Sequence, residues 1–232
     1  MKSLLEKFDL TDPDVVSAVD DLPLWSAPFG MQLLDVVEYR KNIKILDIGS
    51  GNGFPLLELS QRLGPTSQSW GVDPWTEGAG RIRQKIKTWQ INNVEILTQT
   101  AEELPFEDSF FDLVISNNGI NNVQDDKKVM AELARVSKPN AQLVLTVNLP
   151  ESMIEFYDAF AKVLEQLNLR DEINAMNMHI QSKRKPIEYT ENLVTKAGFK
   201  INERYEDCFK FRYTDGTSML DHFVIKLAFL PS

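Results

Sequence analysis

The chain has 232 residues, 43% hydrophobic and 25% charged, which suits one α/β domain with modest additions and a large core. One cysteine, Cys208, excludes an intrachain disulfide, and with only two histidines, His179 and His222, no metal site is expected. A net charge of −9 repels phosphate backbones, so nucleic acid is not an expected partner.

No apolar run approaches the roughly 18–20 residues that span a bilayer, so no membrane span is expected. The first residues carry acids early and hold no uninterrupted apolar segment, unlike a secretory signal. With the sparse cysteine usage, this points to a reducing, cytoplasmic compartment.

Residues 1–41 read as an N-terminal helical cap. Val15, Val16 and Val19, then Leu33, Leu34, Val36 and Val37, recur at helical spacing. Between them, Leu22 to Gly30 carries two prolines, Trp25 and Phe29 and reads as a loop. Residues 42–148 alternate apolar runs with helical stretches. The runs are Ile43–Ile48, Ser69–Val72, Val94–Leu97, Phe111–Ser116 and Leu143–Val147; the helices are Phe54–Leu63, Glu77–Ile91 and Asp126–Val136. This is the signature of βαβ units, a doubly wound and mostly parallel sheet with helices on both faces.

Residues 149–187 break the alternation. Met153, Ile154, Phe156, Tyr157, Phe160, Val163, Leu164 and Leu167 form a wide apolar helix face, and a polar stretch to Pro186 follows. The segment reads as a helical insertion after the fifth strand, packed over the sheet as a lid. In residues 188–232, Glu188–Ala197 reads as helix with Gly198 just past its end. Ile201–Tyr213 alternates loosely and reads as a strand. Gly216–Leu230 fits both periods and is read as helix.

The strongest local signal is Lys44–Gly53, an apolar strand that runs into Gly49, Ser50, Gly51 and Gly53 before a helix. Glycines at alternate positions let the backbone turn sharply and approach a ligand closely, at the carboxyl end of a strand where open α/β sheets bind ligands. Asp73 follows twenty residues after Gly53, at the end of the second strand, where a carboxylate can accept both hydroxyls of a ribose. An NAD-dependent oxidoreductase on a similar sheet is one candidate. Its fingerprint needs a third small residue where Phe54 stands. Asp47, just before the glycines, would repel a pyrophosphate and suits a cationic amino group. The inferred ligand carries adenosine at one end and an amino acid at the other.

Across residues 42–148 the sequence resembles the class I S-adenosylmethionine-dependent methyltransferases. Ile45–Gly53 is similar to their first motif and Asp73 to the ribose acid. Thr100-Ala101-Glu102-Glu103-Leu104-Pro105-Phe106 is similar to the adenine-side loop, with Thr100 where the family has aspartate. Phe111–Asn117 is similar to the fourth-strand motif, and Ala134–Pro139 to the turn before the fifth strand. Gly119-Ile120-Asn121-Asn122-Val123 is similar to a segment of the ubiquinone/menaquinone C-methyltransferases, with Asn121 in place of arginine. The resemblance implies a seven-stranded type of sheet and S-adenosyl-L-methionine as cofactor, with S-adenosyl-L-homocysteine as product. It also implies in-line methyl transfer to a small, partly apolar acceptor. The cofactor residues it implies are Asp47, Gly49, Ser50, Gly51, Gly53, Asp73, Pro74, Trp75, Thr100, Ala101, Glu102, Ser116 and Asn117.

The acceptor pocket is expected among the insertion, the Trp25–Phe29 segment and the C-terminal segment. Trp25, Phe29, Tyr157 and Tyr213 are candidates for orienting an acceptor, and His222, ahead of His179, for a general base. The ordinary alternatives are structural ones: a core aromatic stripe, a structural histidine, a buried Cys208 and a solvated Lys183-Arg184-Lys185 run. A noncatalytic cofactor-binding partner subunit is the remaining alternative function.

Overall fold

The computed structural model describes residues 9, 11–21 and 25–228. Val19's side chain, residues 22–24 and residues 229–232 of the sequence reading lie outside what is described.

Five parallel strands form one sheet: β1 (Lys44–Ile48), β2 (Gln68–Val72), β3 (Val94–Leu97), β4 (Phe111–Asn117) and β5 (Ser137–Thr146), in the order β3-β2-β1-β4-β5. The chain builds outward from β1 to β3, then returns to place β4 on the other side of β1. The strand order reverses between β1 and β4, and the crevice at their carboxyl ends is where such sheets bind ligands.

The pleat explains why β1 is apolar almost throughout. Alternate side chains face opposite layers. Ile45 packs with Leu33, Leu34, Leu59, Leu113 and Ile115, whereas Leu46 and Ile48 pack with Val72, Val114, Val129 and Leu133. The first layer belongs to α2 (Ala27–Val36) and α3 (Leu56–Leu63), the second to α5 (Asp126–Val136). Between β4 and β5 the register jumps from Phe111↔Ser137 to Leu113↔Gln142. The extra residues include Asn140 at φ 64° and form a bulge within β5.

Helix α1 (Pro13–Asp21) lies on α4 (Thr76–Trp89). Pro28, Phe29 and Gly30 lie in the opening turns of α2 rather than in the expected loop. Proline is tolerated there because the first helical amides have no intrahelical acceptor. Gly30 is required by packing, since a Cβ would sit 2.2 Å from the Phe54 ring.

The insertion forms two helices, α6 (Ile154–Gln166) and α7 (Arg170–Lys183), packed on one another. Their inner residues join a third apolar cluster with Trp25, Met219, Leu220 and Ile225. Helix α8 (Ile187–Lys196) packs on α5, and Gly198 follows at φ +97°. The C-terminal stretch folds as α9 (Gly216–Asp221) and α10 (Phe223–Ala228).

Three further expectations are corrected. Residues 201–213 form no strand; they run as irregular chain, mostly exposed. The sheet therefore has five strands among the described residues, not seven. Alternation supplied an amphipathic extended segment, but pairing also needs an open sheet edge beside it. This segment packs its rings against Trp25 and Phe29 instead. Cys208 lies on it and is exposed rather than buried.

Candidate cofactor site

The glycine loop leaves β1 and is tied to β2. The Gly49 amide donates to the Val72 carbonyl at 2.8 Å, and the Gly53 amide to the Ser50 carbonyl at 2.8 Å. Gly49, Gly51 and Gly53 have φ of 76°, 52° and 108°, the left-handed region that glycine enters at little cost. A Cβ on Gly51 would meet nothing within 4 Å, whereas one on Gly49 would sit 2.5 Å from the Gly119 Cα. Gly51 thus faces open space, and Gly49 is squeezed against the turn that follows β4.

Asp47 is fully buried, and neither carboxylate oxygen has a hydrogen-bond partner among the described residues. Burial first, then the charge of Asp73, pushes its pKa up to about 8. A buried acid without a donor is costly unless something pairs with it. Asp47 stands two residues before Gly49, where the glycine loop begins.

Asp73 has a double role. Its Oδ2 accepts from the Gly51 amide at 2.8 Å and its Oδ1 from the Trp75 amide at 2.8 Å. Each bond uses one lone pair, so each oxygen keeps a second. The same carboxylate therefore holds the loop in shape and keeps an acceptor on each oxygen. Trp75 precedes α4, with its ring against the first turn; a Cβ on Gly78 would sit 2.4 Å from it. Pro74 is exposed beside it.

In the loop after β3, Ala101 is buried and Thr100 exposed. The Thr100 hydroxyl bonds the Glu102 side chain. Glu102 Oε1 accepts from the amides of Gln124 and Asp125 at 3.0 and 3.2 Å. Burial works against the Glu102 charge, yet these donors hold its carboxyl below the usual range. Arg135 fixes the rest of this loop. It donates to the carbonyls of Leu104 and Phe106 at 3.0 and 2.7 Å, while Glu132 holds its other side at 2.7 Å. Replacing Arg135 with Met is expected to cost about 2 kcal/mol, read as a lower urea midpoint, and to weaken adenosine binding with it. Sequence reasoning placed Arg135 only in a turn motif; a guanidinium near the end of a helix is its one advance sign.

Ser116 and Asn117 belong to the scaffold. The Ser116 hydroxyl donates to the Ile48 carbonyl at 2.8 Å and accepts from the Ile120 amide at 3.0 Å. Asn117 donates to the Ser26 carbonyl at 3.2 Å and accepts from the Thr146 hydroxyl at 2.9 Å. At the end of β4, their hydrogen bonds lock β1, β4, β5 and the start of α2 together.

The acceptor candidates partly converge. Trp25 stacks on Phe211 at 5.9 Å and lies 6.3 Å from Phe29. Phe211 leads to Tyr213, and Tyr213 meets the His222 ring edge-on at 5.5 Å. Tyr157 is buried in the same cluster as Trp25. The His222 Nδ1 is buried without a hydrogen-bond partner. His179 stands apart on α7, its pKa lowered by burial, then by Arg184 and Lys183.

A parallel sheet with an unsatisfied acid before its glycine loop and a second acid after β2 defines an α/β domain with its ligand crevice at the carboxyl ends of β1 and β4. Residues 46–145 match a family described as a methyltransferase domain. A demethylmenaquinone methyltransferase of Listeria welshimeri is 32% identical over 113 residues, 48% of each chain. Its Staphylococcus aureus counterpart is 38% identical over 105 residues, 45% of this chain and 43% of that one. This chain thus spans about half the length of the curated relatives it matches. The fold is that of a Methanococcus maripaludis protein provisionally assigned as an S-adenosyl-L-methionine-dependent methyltransferase. The two superpose with a TM-score of 0.57 at 17% identity, over 85% of this chain and 88% of that one. The resemblance to the class I S-adenosylmethionine-dependent methyltransferases, with their Rossmann-like fold, is thereby borne out.

Proposed function

We infer that this protein transfers a methyl group from S-adenosyl-L-methionine to a small, partly apolar acceptor. The observation that carries this reading is Asp47: a fully buried carboxylate with both oxygens unsatisfied, two residues before the glycine loop, which a ligand's amino group would satisfy. When bound, S-adenosyl-L-methionine supplies an electrophilic sulfonium methyl.

The chain's own residues bind and orient. Asp47 holds the amino group, Asp73 the ribose hydroxyls, and the loop of residues 100–106 borders the adenine. The side chains of Trp25, Phe29, Tyr157 and Tyr213 make an apolar wall that excludes water and aligns an acceptor, which is much of what such a displacement requires. Burial raises the pKa of the Tyr213 phenol, so it stays neutral and serves as a hydrogen-bond donor. His222, beside it, is the candidate base for an acceptor that must lose a proton.

The test is turnover with methyl-labelled cofactor and a panel of hydroxylated aromatic and quinol acceptors, the latter chosen because the relatives above are named for demethylmenaquinone. Acceptor-dependent formation of S-adenosyl-L-homocysteine is expected. Tight cofactor binding with no acceptor-dependent turnover across a broad panel would favour a noncatalytic partner subunit instead.

A further inference from the structure

A cleft of about 280 Å³ opens on the far side of the turn that follows β4. That turn, Gly119–Asn122, presses Gly119 against Gly49 of the glycine loop, while Ile120 and Asn121 line the cleft. The cleft and the glycine loop therefore share one wall. Ile120, Val147 and Leu193 give the cleft an apolar floor, and its size suits a single ring or a short chain.

Its rim is cationic, against the charge of the whole molecule. Lys183 and Lys185 line it, with Asp126 as the one acid among its lining residues. Both Asp126 oxygens accept from the Tyr189 hydroxyl, at 3.0 and 2.8 Å. Lys183 reaches across the cleft to the Asn122 Oδ1 at 3.4 Å, and Lys185 lies 5.7 Å from the centre of the Tyr189 ring. Both lysines are exposed; neither forms one of the ion pairs found among the described residues. The lowered pKa of His179, caused by burial and then by Arg184 and Lys183, fits a positive potential at this end of α7. Two buried amide atoms nearby also lack hydrogen-bond partners: Asn118 Nδ2, one bond from Asn121 through a 3.4 Å contact, and Asn148 Oδ1 on the cleft wall. Buried amides are normally satisfied.

The geometry points to this cleft as the binding site for a small amphipathic anion, its carboxylate or phosphate held by Lys183 and Lys185 and its apolar part against Ile120, Val147 and Leu193. An anion here lies across the Gly119–Asn122 turn from the glycine loop, apart from the aromatic wall assigned to the acceptor, so the site does not rest on the methyl-transfer reading above.

The test titrates benzoate and, separately, inorganic phosphate into the protein saturated with S-adenosyl-L-homocysteine and into the ligand-free protein. Wild type is compared with the double variant Lys183→Gln/Lys185→Gln and with Lys196→Gln, a cation of α8 outside this cleft. Saturable binding of benzoate or phosphate is expected, weakened at least tenfold in the double variant and by added salt, and unchanged in Lys196→Gln. Tighter benzoate than phosphate identifies a carboxylate head, and the reverse a phosphate head. Affinity for S-adenosyl-L-homocysteine should not change in the double variant. Absence of binding by both anions, equal binding by wild type and double variant, or equally tight benzyl alcohol binding would overturn the site. Anion binding in a protein that ignores S-adenosyl-L-homocysteine would leave the cleft standing and remove the cofactor reading instead.

Discussion

Asp47→Asn is expected to stabilise the ligand-free protein and, at the same time, to weaken S-adenosyl-L-homocysteine binding by roughly a hundredfold, about 3 kcal/mol. The opposed signs have one cause. In the ligand-free chain the carboxylate is fully buried with no donor, so charge there is a cost. With an amino group beside it, the same charge becomes half of a buried pair, and removing it leaves a cation without a partner. A structural role for Asp47 would instead make both changes unfavourable, so melting curves and calorimetry on one variant separate the two cases.

The pH dependence follows from the same group. Its pKa is raised to about 8 by burial and by Asp73, from an unfolded value near 4. A carboxyl raised on folding contributes stability that is fully present below the unfolded value and is lost as pH rises through the folded one. Ligand-free wild type should therefore lose stability between about pH 4 and 8, and Asp47→Asn should flatten that part of the curve. An amino group at Asp47 favours the ionised form. Cofactor binding near neutral pH should release close to one proton per site, seen as a dependence of binding heat on buffer ionisation enthalpy.

Gly119→Ala should be the most damaging small substitution near the site. The added Cβ would lie 2.1 Å from the Ile48 carbonyl oxygen, 2.8 Å from the Ser116 Oγ and 2.9 Å from the Gly49 Cα. Two of these three neighbours are backbone at the junction of β1 and the loop, so no side chain can turn aside. A loss of at least about 3 kcal/mol is expected, with cofactor binding lost as the loop is displaced. Gly51→Ala is the informative contrast. Its Cβ meets nothing, so the cost is limited to strain at positive φ, about 1 kcal/mol, while affinity falls because the methyl enters the ligand's space. Urea unfolding with calorimetry distinguishes the two; equal stability losses would contradict the packing described for Gly119.

The part of the chain that was legible in the sequence is the part governed by local rules. Strand β3 and helix α5 fall where the apolar periods put them, because period and turn residues act over a few positions. The burial of Asp47 was legible as well, because the apolar residues on either side of it mark a central strand. Gly119 was not, because its constraint is a contact between two backbones distant in sequence. Ser116 and Asn117 stand at the end of β4 as read, and their side chains also bond Ile48, Ile120, Ser26 and Thr146, partners that spacing cannot reveal. Residues 201–213 show the limit most clearly. Loose alternation fits a strand, but the rings of Phe209 and Phe211 are used on Trp25 and Phe29, and that choice is tertiary.

The most direct measurement is calorimetric titration of S-adenosyl-L-homocysteine into wild type and Asp73→Ala. Saturable one-to-one binding in the micromolar range is expected for wild type. The variant should lose it by at least about tenfold, since it forfeits both the ribose acceptors and the carboxylate that anchors Gly51 and Trp75. A folded wild type that gives no saturable heat at millimolar ligand, or an Asp73→Ala variant that binds as tightly as wild type, would contradict cofactor capture at this loop.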